Sequence, residues 1–151
     1  RHFDEVLRPL LGHADVDLTL NGSAAQSATV LAGAVATLAP LAWDEPFGLV
    51  LAESMASGTP VVAFARGAAG ELIADRRTGV LVAPGDVDAF CAAVEVALEL
   101  SRDACRRRVE ERFSAAAMVA SYGRVYGQVT SRHHLPTLRA AASRVLSGVR
   151  G

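Results

Sequence analysis

Residues Glu45 to Phe64 read E-P-F-G-L-V-L-A-E-S-M-A-S-G-T-P-V-V-A-F, and their hydrophobic period changes halfway along. From Gly48 the apolar residues recur at helical spacing, with Leu49, Ala52, Met55 and Ala56 on one side. The pattern stops at Gly58, the residue type that most readily closes a helix C-terminus. Pro60 to Phe64 is short, apolar, β-branched and glycine-bounded, which predicts a parallel strand buried on both faces. A helix feeding a buried strand is half of a strand-helix-strand unit, so the neighbouring sequence must supply the other strand.

It does on both sides. Ala34 to Leu41 is a compact apolar run that ends in the polar break Trp43-Asp44-Glu45-Pro46, as a strand and its exit loop would. Ala24 to Gly33 has the spacing of a short helix, and Asp15 to Leu20 (D-V-D-L-T-L) alternates like a half-covered strand before Asn21-Gly22. Downstream, Gly70 to Ile73 predicts a small helix, Thr78-Gly79 a turn, and Val80 to Ala83 another strand. Asp86 is placed as an N-cap for a helix with Phe90, Val94, Ala97 and Leu98 as its stripe. Ser101 to Arg112, Ser114 to Val129 and Leu135 to Val149 carry further helical patterns. The alternation predicts an α/β fold, a Rossmann-like parallel sheet with helices on both faces, built from right-handed crossovers. Residues 1–129 are assigned to this domain and 130–151 to an amphipathic helical tail, with Thr130 to Pro136 as the linker.

Composition excludes several classes. The 151 residues are 51% hydrophobic and 21% charged, far from the low-hydrophobicity corner where chains stay disordered. Fifteen basic against sixteen acidic side chains leave no basic footprint for nucleic acid. No apolar run is long enough to cross a bilayer, and the first ten residues lack a signal peptide's apolar stretch, so the chain is expected to be soluble. Cys91 and Cys105 are too few for a disulfide framework, so a reducing, cytoplasmic setting is expected. Arginine at every basic position, with abundant alanine, matches the composition habit of a GC-rich bacterial genome. The chain begins at Arg1 without a methionine and reads as a piece of something longer.

The chemistry gathers around the exit loop. In such sheets ligands bind beyond the carboxyl ends of the strands. Glu45 precedes a proline, which holds it extended. Glu53 lies eight residues on, and helical side chains lean toward the N-terminus, so it can reach back over the first turn. The amides of Phe47, Gly48, Leu49 and Val50 are expected to lack intrahelical partners and, with the positive helix end, to suit a diphosphate. A side chain at Gly48 would obstruct a ligand's approach to the backbone. On spacing alone, two glutamates eight apart are also what a solvated helix surface shows.

The full string from Glu45 to Phe64 closely resembles the E-x7-E segment of family 4 retaining glycosyltransferases of the GT-B fold. The likeness extends to W-D-E-P-F-G, to G-A-A-G-E-L-I from Gly67, to T-G-V-L-V-A-P-G-D from Thr78 and to E-R-F-S at Glu111 to Ser114. It implies that residues from Arg1 to about Val129 are the later part of the C-terminal, nucleotide-sugar-binding domain. The resemblance makes Glu45 the catalytic residue that contacts hydroxyls of the transferred sugar, and Glu53 the contact to the nucleotide's ribose. Backbone amides matching Phe47, Gly48, Leu49 and Val50 would bind the sugar and the diphosphate. The implied reaction moves a hexosyl group from a nucleoside diphosphate sugar to a glycan, lipid or natural-product acceptor, in the cleft with a missing N-terminal acceptor domain.

Departures accompany the likeness. The family's arginine-lysine pair, which neutralises the donor diphosphate in place of a metal, has no match before Asp15, and the chain contains no lysine. The resemblance implies no cofactor and no metal, and His2, His13, His133 and His134 have no companion ligands at metal spacing. Glu71 reads as a helix first-turn carboxylate and Arg66 as a solvated strand-end arginine, each with a substrate contact as the alternative. The stripe Leu138, Ala142, Val145, Leu146 and Val149 could lie on a membrane surface, but docking on protein is favoured. The rival reading of the whole is a catalytically silent Rossmann-like fragment or nucleotide-binding module. A nicotinamide enzyme would need a G-x-G-x-x-G, which Gly67-Ala68-Ala69-Gly70 does not supply.

Overall fold

A computed structural model describes residues 3–12 and 15–132. His2, His13, His133, His134, the predicted pattern at 135–149 and nearly all of the predicted 130–151 tail lie outside these residues. The chain divides into two compact units, Arg1–Arg106 and Arg107–Gly151.

The first unit is a three-stranded parallel sheet with helices. The strands β1 (Thr37–Ala39), β2 (Val61–Phe64) and β3 (Gly79–Val82) lie in that order, with Val62 opposite both Leu38 and Val80. Helix α1 (Ala24–Gly33) precedes β1, α2 (Leu49–Ala56) connects β1 to β2, α3 (Ala69–Leu72) lies between β2 and β3, and α4 (Val87–Leu98) and α5 (Arg102–Arg112) follow β3. Helix α1 has the predicted bounds because both ends are fixed locally. Ser23 Oγ accepts from the Gln26 amide and Gln26 Oε1 accepts from the Ser23 amide, a capping box, while the Ala34 amide donates to Val30 and Leu31. Using Ala34 as this cap shortens β1 from the expected Ala34 to Leu41, and Pro40, which has no N–H, ends it.

Strand β2 is buried on both faces, as its composition requires. Val62 joins Val80, Val82, Phe90, Ala93 and Ala97 in the core beneath α4, where the Phe64 and Phe90 rings meet at 5.0 Å. By the alternation of a strand, Val61 and Ala63 face the opposite side, and both are fully buried. Asp86 caps α4 by accepting from the Ala89 amide at 2.9 Å, as expected. Leu98 departs from its predicted stripe: it is 45% exposed, and Ala93 fills the core position instead.

Two further expectations are corrected. Asp15 to Leu20 is not a strand; it is exposed and pairs with no other described strand, so its D-V-D-L-T-L alternation has no ladder to join. Helix α2 buries Leu51, Ser54 and Met55, whereas Leu49 is 67% exposed. An apolar stripe overlooks Ser54, whose hydroxyl is satisfied inside by Thr37 Oγ1 at 2.8 Å and the Thr59 carbonyl at 2.9 Å. A hydrogen-bonded serine thus takes an inner position and turns Leu49 and Val50 outward.

The helix ends are tied by α5. The Arg102 guanidinium donates to the carbonyls of Ala34 (2.9 Å) and Ala32 (2.6 Å) at the end of α1 and to Thr59 Oγ1 (3.1 Å), while Arg106 donates to the Ser57 carbonyl after α2 at 3.2 Å. Cations at helix C-termini meet the negative dipole end. Cys105, between them, is buried with its Sγ 3.5 Å from the Thr78 carbonyl. Burial pushes its thiol up, against a smaller opposing pull from Arg102, a backbone hydrogen bond and Arg106.

At the open rim of the sheet, the Thr37 amide donates to Pro60 on the β2 side. Alternate residues of a parallel strand face alternate neighbours, so the N–H and C=O of Leu38 point away from β2. In the second unit α6 (Ala115–Arg132) starts at Ser114, whose hydroxyl accepts from the Ala117 amide, and carries Met118, Tyr122, Val125 and Val129 exposed along one side. No described helix is long and apolar enough to cross a membrane.

Replacing Arg102 by methionine keeps the stem and deletes the fork. This should lower unfolding free energy by about 1.5–3 kcal/mol in urea titration, the size expected for hydrogen bonds to a charged group. Thiol titration at mildly alkaline pH should label exposed Cys91 at once and Cys105 only as fast as the chain opens. Between the ordinary thiol pKa and the raised one, the unfolded chain releases a proton that the folded chain keeps. Cys105 should therefore subtract stability as pH climbs through that range and leave it unchanged below.

Candidate functional site

The loop from Leu41 to Gly48 leaves the carboxyl end of β1 and enters α2, placing Glu45 where open α/β sheets bind ligands. Its conformation is fixed by the loop after β2. The Ala68 amide donates to the Glu45 carbonyl at 2.8 Å, and Asp44 lies 4.0 Å from Arg66. Gly67 adopts a left-handed φ of 48°, and a Cβ there would overlap the Glu45 backbone, falling 2.5 Å from its nitrogen. Arg66 is half-exposed, at the outer limit of ion-pair distance from Asp44. Glu71 is exposed in α3.

Glu45 is half-buried and both of its carboxylate oxygens are engaged: Oε2 accepts from the Trp43 indole at 2.9 Å and Oε1 from the Gly48 amide at 3.3 Å. One of the four amides expected to face a ligand is thus already taken by Glu45 itself. Leu49 and Val50 sit in the first turn of α2, where no intrahelical carbonyl is in reach, whereas Leu51 and Ala52 donate to the Gly48 carbonyl. Gly48 caps the helix with φ 80°, and a Cβ there would lie 3.0 Å from Leu51 Cδ1. Its glycine serves the fold as well as any approach to a ligand. Phe47, Leu49 and Val50 are exposed at this tip.

Glu53 is exposed one turn further along α2 and lines a cavity of about 450 Å³ with Asp17, Leu18, Gln26, Val30 and Val50. It also borders an adjoining hollow of about 430 Å³ with Gly22, Ser27 and Leu31. Of the residues singled out from the sequence, the first cavity gathers Val50 and Glu53, while Glu45 and Gly48 lie outside its lining in a hydrogen-bonded cluster with Trp43. Among the described residues no three His, Cys, Asp or Glu side chains converge as metal ligands do. Sequence reasoning gave no role to Trp43, to Gly67 as the floor of the loop, or to Gln26 and Asp17 on the cavity wall. A glycine just past a buried strand is the one local signal that could have flagged Gly67.

Gly67→Ala should lower stability by about 2 kcal/mol or more, since it adds left-handed strain to a backbone overlap. Gly70→Ala, whose Cβ would meet nothing within 4 Å, should not. Thermal melting of the two variants makes the comparison.

Residues 9–115 match the family described as glycosyl transferases group 1. The D-inositol 3-phosphate glycosyltransferase of Mycolicibacterium smegmatis is 35% identical over 109 residues, 68% of this chain and 25% of that protein. The MMP alpha-(1->4)-mannosyltransferase of Mycolicibacterium hassiacum is 36% identical over 130 residues, 81% of this chain and 31% of its own length. Among solved structures, sucrose-phosphate synthase from Thermosynechococcus elongatus superimposes with a TM-score of 0.54 at 32% identity, over 68% of this chain and 27% of that one. The chain spans between a quarter and a third of the two curated relatives. The match across most of its length shows that the chain belongs to the group 1 glycosyltransferase family.

Proposed function

We propose that the chain is the donor-binding part, C-terminal in its parent, of a family 4 retaining glycosyltransferase of the GT-B fold. It transfers a hexosyl group from a nucleoside diphosphate sugar to a glycan, lipid or natural-product acceptor held by a further domain. The observation that carries this reading is the arrangement at α2: a carboxylate at the carboxyl end of β1, exposed first-turn amides, and a second carboxylate on the wall of a 450 Å³ cavity. Glu45 contacts sugar hydroxyls and is the catalytic residue. The segment Phe47, Gly48, Leu49 and Val50, exposed at Phe47, Leu49 and Val50, takes the sugar and diphosphate, chiefly through the Leu49 and Val50 amides. Glu53 takes the ribose, with the base in the cavity beside Gln26 and Val30. Residues 1–129 are assigned to this domain, in the cytoplasm, and 130–151 to a C-terminal tail.

Without a lysine, the diphosphate relies chiefly on helix amides and the dipole. Affinity in the isolated chain is accordingly weak, and turnover belongs to the longer polypeptide. Calorimetric titration with UDP, GDP and their sugars tests the reading. One base series should bind, Glu53→Gln should weaken nucleotide and sugar nucleotide alike by about tenfold, and Glu45→Gln should weaken only the sugar nucleotide. Binding that both variants leave unchanged overturns the site.

A further inference from the structure

We propose that Trp43 is a positioning residue: its indole N–H orients the Glu45 carboxylate toward a sugar hydroxyl. The proposal rests on the donor-site reading above. A glutamate side chain has three rotatable bonds, and on a loop it samples many rotamers. Here Trp43 and Glu45 lie two residues apart on the loop that leaves β1, and their side chains meet across it. The indole N–H, which can only donate, meets Oε2 at 2.9 Å, and the Gly48 amide meets Oε1 at 3.3 Å. Capping α2 would need one oxygen alone. The second donor, on the other oxygen, fixes the plane of the carboxylate and leaves each oxygen one further lone pair to accept from ligand hydroxyls.

The indole owes this position to no burial, since Trp43 is 60% exposed. It is held by its loop, whose backbone is pinned to Ala68 and seated on Gly67. Deleting the N–H should therefore free the carboxylate without unfolding the protein.

Trp43 is the only tryptophan in the chain, so its indole signal needs no assignment. In the proton-nitrogen spectrum of the full chain, the single indole cross-peak should move upfield in Glu45→Ala. A peak that stays in place overturns the hydrogen bond and the proposal with it. Calorimetry with the sugar nucleotide that the wild-type chain binds, and with its parent nucleoside diphosphate, reads the consequence. Trp43→Phe should weaken the sugar nucleotide about threefold to tenfold while sparing the diphosphate and the melting temperature, a difference that a merely structural role would not produce. Wild-type binding that Trp43→Phe leaves unchanged overturns positioning alone. Failure of the wild-type chain to bind any sugar nucleotide, with the cross-peak still sensitive to Glu45, overturns the donor-site reading and the positioning role together.

Discussion

The arrangement around Glu45 depends on one close approach of backbone to backbone. At Gly67 the chain turns left-handed directly beneath Glu45, in a space that admits no Cβ, and the next amide closes the contact by donating to the Glu45 carbonyl. Two loops that leave neighbouring strands of a parallel sheet are thereby locked as one layer. The carboxylate, the left-handed Gly48 and the first turn of α2 follow from that layer, because Pro46 and Gly48 leave the chain few other paths from β1 into the helix. Rigid placement of a charged group on a loop usually needs burial; here a main-chain seat supplies it and leaves the side chain accessible.

The second tie lies at the far end of the same helices. The carbonyls that α1 and α2 leave unpaired at their C-termini converge on the arginines of α5 and on Thr59. A planar fork satisfies several oxygens at once, which a point-charge ammonium could not do with the same geometry. Both ends of α2 are thus anchored by long-range polar contacts, and its apolar face alone does not decide how it sits.

That division explains what was legible in the sequence. The strands Val61–Phe64 and Gly79–Val82 and the helices α1 and α4 were readable because their signals are local: β-branched runs, the apolar spacing from Ala24 to Gly33, an Asp cap. The orientation of α2 was not, because an inward Ser54 is paid for by Thr37 and Thr59, distant partners that no window contains. The Asp15 to Leu20 expectation failed for a related reason, since alternation describes a strand's faces and says nothing about a neighbour for its edges. At the site, Glu45, Gly48 and Glu53 were visible as spacing and resemblance. The capture of the Gly48 amide by Glu45 was hidden, because it depends on side-chain rotamers.

The outward peptide groups of Leu38 have a practical consequence. A strand rim that pairs with no other strand among the described residues is a template on which another polypeptide can extend a ladder. Here the rim is three residues long and carries no lysine or other charged gatekeeper, with Pro40 just beyond it as the lone deterrent. Purified material is therefore best kept dilute, and light scattering against concentration is the natural first quality control before any crystallisation or spectroscopy.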